Sequence, residues 1–201
     1  MMKLHWSPRS PYVRKVLVCA HELGVFDQLV LHRSVAAMLK PNAELMQDNP
    51  LSKIPTLVLD DGMVLLDSVV ICEYLNDLAG GHLFPTGADR WPALRWHALG
   101  NGLLDALILW RNERERELPL PALMDAFAHK TRAALALLDA ESGRLAEAPF
   151  AIGHVGVGCA LGYLDYRFDA LDWRTQAPGL ARWYGDLRQR PGFALTEPFD
   201  G

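Results

Sequence analysis

Along the first eighty residues the apolar positions change period several times, and polar or glycine/proline positions mark each change. MKLHW (residues 2–6) is a short candidate strand that stops at Ser7-Pro8. Val13, Val16, Leu17 and Ala20 then recur at helical spacing, with Ser10 as N-cap, Pro11 as first helical residue and Gly24 as the stop. QLVLHR (28–33) reads as a second strand, and residues 40–49 fit either a short helix or a loop. Residues 56–59 and 64–66 flank Asp60-Asp61-Gly62, a hairpin signal. Asp67 opens a helix with Ile71, Tyr74, Leu75 and Leu78 on one face. The predicted order is β-α-β-(α)-β-β-α, a parallel βαβ unit followed by a hairpin and a helix.

From there the pattern is almost continuously helical and rich in Ala and Leu. The predicted organisation is a domain over 1–80, a Gly/Pro-rich linker over 81–88 and an all-helical domain over 89–201. At least four helices are expected. One covers about 89–117, with Leu99, Leu103, Ala106, Leu107 and Trp110 on a stripe, and another covers 121–141. A third follows Val155, with Val157, Leu161, Leu164 and Phe168 in phase, and a fourth covers about 179–190. RNERERE (111–117) is nearly balanced in charge and reads as a solvated face with i,i+4 pairs. GVGCALG (156–162) has no strand ahead of it and lies in a helical pattern, so it reads as close helix packing rather than a dinucleotide loop.

Composition narrows the function classes. The chain has 201 residues, 50% hydrophobic and 22% charged, with a formal charge of −4. That is an ordinary globular balance without the basic surplus of a phosphate-neutralising nucleic-acid binder. No apolar run approaches the roughly 20 residues of a membrane span, and Arg9 and two prolines break any signal-like start. Cys19, Cys72 and Cys159 are far apart, with no CxxC, which fits a reducing cytoplasm and inert packing. The seven histidines form no ligand-spaced pair, so no metal is expected. GxxxxGK[ST], HExxH and GxSxG are all absent.

Three segments carry the functional signal: SPRSPYVRKV (7–16), NPLSKIPTLV (49–58) and LLDSVVICEYL (65–75). In order and spacing they resemble the glutathione S-transferase superfamily, nearest to bacterial members with a serine-type site. GCALGYLDYRF (158–168) and LARWYGDLRQRPGFALTEP (180–198) resemble its helical domain, so the resemblance covers essentially the whole chain. It implies an α/β thioredoxin-like N-terminal domain followed by an all-α C-terminal domain. It also implies a cytoplasmic detoxification enzyme, a homodimer, that joins glutathione to a small hydrophobic electrophile.

The resemblance further implies a cis Ile54–Pro55 bond, turning the Ile54 backbone outward to pair with the cysteinyl backbone of glutathione. The alternative is a trans proline starting a strand. Asp67 and Ser68, at a helix N-terminus, would hold the γ-glutamyl ammonium and carboxylate; otherwise Asp67 is only an N-cap. Lys53 and Lys40 are candidates for the glycyl carboxylate. Ser10 is the catalytic candidate, donating to the glutathione sulfur. Lowering a thiol pKa by about two units needs roughly 2.7 kcal/mol. A hydroxyl donated to an anion supplies about 1.5–3 and the helix terminus about 0.3–1 kcal/mol, so no general base is needed. Ser7 and Tyr12 are the alternative hydroxyls, and Arg14 either adds positive field or pairs structurally. Tyr12, Trp110 and Arg111 are the candidate electrophile contacts. Family members commonly start the sixth helix with a Ser/Thr-x-x-Asp box, where this chain has Ala151 and His154, which leaves that helix start in question. The same resemblance admits a non-catalytic ligand-binding or regulatory protein, or a glutathione-dependent isomerase or peroxidase.

Overall fold

Strand β1 (Met2–Trp6) buries Met2, Leu4 and His5, and the chain then turns at Ser7 into helix α1 (Pro11–Glu22). Strand β2 (Leu29–Arg33) returns parallel to β1, pairing Met2 with Leu29 and Trp6 with Arg33. A short helix α2 (Leu45–Asp48) precedes β3 (Thr56–Val58), which runs antiparallel to β1 and forms a hairpin with β4 (Val64–Leu65). Helix α3 (Ser68–Leu78) follows. The sheet order is β2-β1-β3-β4, with the predicted βαβ-plus-hairpin topology. The computed structural model describes residues 1–200 and divides into two compact units, Met1–Phe84 with residues 191–200, and Pro85–Arg190.

The second unit is helical: α4 (Arg90–Arg114), α5 (Pro121–Ala140), α6 (Ser142–Glu147), α7 (Ile152–Arg167), α8 (Trp173–Gln176) and α9 (Pro178–Leu187). Every residue from Ile152 to Leu164 is buried, so α7 is its central helix. A single apolar stripe cannot describe a helix covered on all sides. The GVGCALG stretch does serve packing. A Cβ at Gly100 would fall on the Gly156 backbone, and one at Gly156 would lie 2.9–3.2 Å from His97, so α4 and α7 meet backbone to backbone.

Several expectations need correction. The last segment is not part of the helical unit: α10 (Pro191–Ala194) packs on α1. Arg14 is buried and donates to Phe193 O at 3.2 Å and Thr196 Oγ1 at 3.4 Å, while Glu22 accepts from Gly192 N. Helix α4 ends at Arg114 rather than 117, because Glu113 turns inward and accepts from Leu120 N at 2.7 Å, ahead of α5. RNERERE is therefore not wholly a solvated face; that hydrogen bond and Arg116 hold the Glu113 carboxyl below its ordinary pKa. On α3 the buried positions are Ser68, Ile71, Cys72, Leu75 and Asn76, whereas Leu78 points to solvent. Helices α6, α8 and α10 are too short to give a periodic signal.

The start of α7 is well formed despite Ala151. His154 supplies half a capping box: its Nδ1 accepts from Ala151 N at 3.1 Å, and its Nε2 donates to Leu145 O at 2.9 Å. Burial among Trp96, Phe150 and Trp183 lowers its pKa.

Candidate functional site

Register brings the singled-out segments of the first unit to one end of the sheet. β1 and β3 are antiparallel with His5 opposite Thr56, so the end of β1 lies beside the start of β3. β4 reverses again with Leu65 opposite Leu57, which places the β4 exit at that same end. Three connections therefore gather there: Ser7 to Ser10, Lys53 to Pro55, and Leu66 to Ser68.

In the first connection Ser10 N donates to Ser7 O at 3.2 Å, and Ser10 caps α1. Its Oγ accepts from Val13 N at 3.3 Å, which leaves the hydroxyl proton to donate elsewhere. Ser10 is half-buried, and Pro11 as first helical residue needs no amide partner. Ser7 Oγ accepts from Arg33 Nη1 at 2.9 Å. Tyr12 lies within the helix rather than at its end, with its ring 5.7 Å from Lys15 Nζ. Arg14, one turn in, donates to the 193–196 segment.

The second connection is pinned by Asn49, which sequence reasoning missed. This residue is 2% exposed, and its amide donates to Lys53 O at 3.0 Å and Thr56 Oγ1 at 2.9 Å, while its Oδ1 accepts from Leu51 N. The missed signal is an amide four residues ahead of Lys53 in a loop that must satisfy its own backbone groups. The Ile54–Pro55 bond is cis; Ile54 is half-buried, Pro55 buried and Lys53 exposed. Asn42 N donates to Ser52 Oγ at 2.8 Å, tying the loop that carries Lys40 to this connection; Lys40 itself is exposed.

In the third connection Asp67 caps α3, accepting from Val69 N at 2.8 Å. Asp67 is exposed and Ser68 buried. Behind this end of the sheet, buried His5 bridges Ser34 Oγ (2.8 Å) and Asp48 Oδ2 (2.7 Å), and Lys3 Nζ joins the same carboxylate at 2.6 Å. The hydrogen bonds from Lys3 and His5 hold the Asp48 carboxyl below its ordinary pKa.

An exposed helix N-terminus with a carboxylate, a second with a hydroxyl, and an extended segment between them suit an elongated peptide-like ligand with charged ends. The sequence matches the family described as glutathione S-transferase, N-terminal domain, over residues 9–78, and its C-terminal domain over residues 121–186. The chain belongs to the glutathione S-transferase family. A crystal structure of a glutathione transferase family member from Pseudomonas fluorescens Pf-5 with bound glutathione is 43% identical, covers 100% of both chains and superposes with a TM-score of 0.95. Another from that organism, with bound S-(propanoic acid)-glutathione, is 40% identical over 99% of this chain and 100% of the other, with a TM-score of 0.91. The uncharacterised GST-like protein YibF of Escherichia coli K12 is 29% identical over 98% of each chain.

Trp110 and Arg111 lie in the helical unit of this transferase-family fold. Trp110 is buried against Phe168, ring centroids 4.9 Å apart, and its Nε1 has no hydrogen-bond partner. Arg111 donates to Asn112 and pairs with Glu115 at 3.4 Å. Among the described residues no group of His, Cys, Asp and Glu is arranged to hold a metal ion, and no helix is long and apolar enough to cross a membrane.

Proposed function

We propose that the protein is a glutathione transferase whose glutathione lies across the sheet end built by Ser10, Ile54–Pro55 and Asp67–Ser68. The observation that carries this reading is that register alone converges those three connections. The Ser10 hydroxyl, free to donate, and the α1 N-terminus stabilise the sulfur as thiolate. The Ile54 backbone pairs with the cysteinyl residue, and Asp67 and Ser68 take the γ-glutamyl ammonium and carboxylate. Lys53 and Lys40 attract the glycyl carboxylate. Tyr12, the second residue of α1, contacts the electrophile beside the thiolate. The glutathione-bound Pseudomonas relatives support this ligand, and the S-(propanoic acid) adduct supports a thioether product. Thiolate attack forms the sulfur–carbon bond; oriented binding removes much of the entropic barrier. The protein works as a cytoplasmic homodimer.

The test is a pH titration of the ultraviolet thiolate absorbance of bound glutathione, followed by product analysis with acrylate and an aryl halide. A thiolate appearing well below the free thiol's pKa, with a thioether formed, is expected. An unshifted thiol assigns the protein to ligand binding without catalysis; a shifted thiol with no conjugation of any electrophile tried assigns it to isomerase or peroxidase chemistry.

A further inference from the structure

A hollow of about 640 Å³ opens in the helical unit, where the start of α4 meets the junction of α5 and α6. That volume falls within the roughly 300–1,000 Å³ of small-molecule sites. It lies wholly within Pro85–Arg190, and none of its lining residues belongs to the set proposed for glutathione. Trp91, Pro92, Leu94 and Trp96 give it an apolar wall. Trp96 is buried, whereas Trp91 is 72% exposed, a flat ring left in water beside the hollow. An indole of this kind offers a stacking face to another aromatic ring.

The charges select the other half of the ligand. The carboxylate that lines the hollow, Glu141, is already engaged: it accepts from Arg95 Nη1 at 2.7 Å, Arg95 Nη2 at 2.9 Å and Trp96 Nε1 at 2.6 Å. Arg95 and Glu141 therefore cancel. Arg144 also lines the hollow, its guanidinium 5.9 Å from the centre of the Trp96 ring. Arg90 stands 6.0 Å from the centre of the Trp91 ring. Neither guanidinium donates a hydrogen bond among the described residues. The hollow is thus positive, with a fork of N–H donors to spare beside aromatic rings, and such a fork matches a carboxylate.

We propose that this hollow binds a free planar aromatic carboxylate, its ring stacked on Trp91 and its carboxylate held by Arg144. Arg90 adds positive field on the Trp91 side. A neutral arene gains the ring contact alone, and an aliphatic acid gains the charge contact alone, so neither matches the whole site.

The test is calorimetric titration of the full chain with naphthoate, with naphthamide and hexanoate as the neutral and the aliphatic counterparts. Saturable binding of one naphthoate per chain is expected, weakening as salt is raised. Naphthamide and hexanoate should bind about tenfold more weakly or worse, the equivalent of one charged hydrogen bond or of the lost ring contact. Arg144→Met should weaken naphthoate about tenfold and erase the preference for acid over amide, while Arg144→Lys keeps that preference. Trp91→Ala should weaken naphthoate and naphthamide alike, roughly 3- to 10-fold. Both replaced side chains are exposed, and circular dichroism checks that the variants fold. Saturating glutathione should leave the naphthoate affinity unchanged. Equal binding of acid and amide, unchanged affinity in folded Arg144→Met, displacement of naphthoate by glutathione, or no saturable binding each overturns the proposal. A changed sedimentation coefficient in Trp91→Ala assigns the hollow to a second copy of the chain and overturns it too. A chain that binds naphthoate with these selectivities but not glutathione keeps this inference and loses the transferase reading.

Discussion

His154→Ala tests the account of how α7 begins. In the native chain the ring satisfies two buried backbone groups, Ala151 N–H and Leu145 C=O. The replacement leaves both unpaired at residues 4% and 1% exposed. Each orphaned group costs about 1–3 kcal/mol, so the loss is about 2–6 kcal/mol, a large share of a typical domain's stability. Only the neutral ring works. Accepting at Nδ1 while donating at Nε2 fixes one tautomer, and a proton on Nδ1 would face the Ala151 N–H. The folded pKa of His154 lies below its unfolded value of about 6.5, chiefly through burial, with the Arg190 charge acting in the same direction. The unfolded chain therefore binds the proton more readily. This contribution to stability is complete above about pH 6.5 and is lost as pH falls through the folded pKa. Urea unfolding of both proteins at about pH 7.5 and 5.5 reads the effect. The wild type should weaken on acidification and the variant should weaken much less, with a small residual slope from His21, whose pKa burial also lowers. A loss below about 1 kcal/mol, or an undiminished acid slope in the variant, refutes the cap.

Three further outcomes are expected. Ser10→Ala should raise the pKa of bound glutathione toward the free value and slow conjugation about 10- to 100-fold, the equivalent of one charged hydrogen bond, with glutathione affinity within a few fold; unchanged turnover moves the role to Ser7 or Tyr12. Asp67→Ala should weaken glutathione binding by calorimetry and also cost about 0.5–2 kcal/mol in thermal unfolding through the lost α3 cap; unaltered affinity contradicts the ammonium contact. Gly100→Ala should destabilise the helical unit by about 1–3 kcal/mol or more, since its methyl group meets the Gly156 backbone, while Gly102→Ala, with open space around it, should cost nothing.

The first unit was largely legible because its signals are local. Alternation in MKLHW, the Ser10-Pro11 pair, the Asp-Asp-Gly turn and Asp67 before an apolar helix each specify an element within a few residues. The three site segments could be picked out for the same reason, since each is a strand end joined to a turn or cap. What stayed hidden depends on partners distant in sequence. Glu113 looks like any residue of a charged run until the backbone of Leu120 arrives beside it. Asn49 acts on a carbonyl four residues away in a loop without periodicity. His154 replaces an acid by its unprotonated nitrogen, a substitution that residue class does not suggest.

The placement of residues 191–196 on α1 has a consequence for biosynthesis. A ribosome adds about 5–20 residues per second, so the roughly one hundred residues of the helical unit take seconds to emerge. During that interval α1 exists without its α10 neighbour, and the Arg14 guanidinium has no Phe193 carbonyl to meet. The unit made first is thus the one finished last, and a nascent chain arrested anywhere in the helical unit presents an incomplete sheet domain with an uncovered helix to the chaperones that survey it.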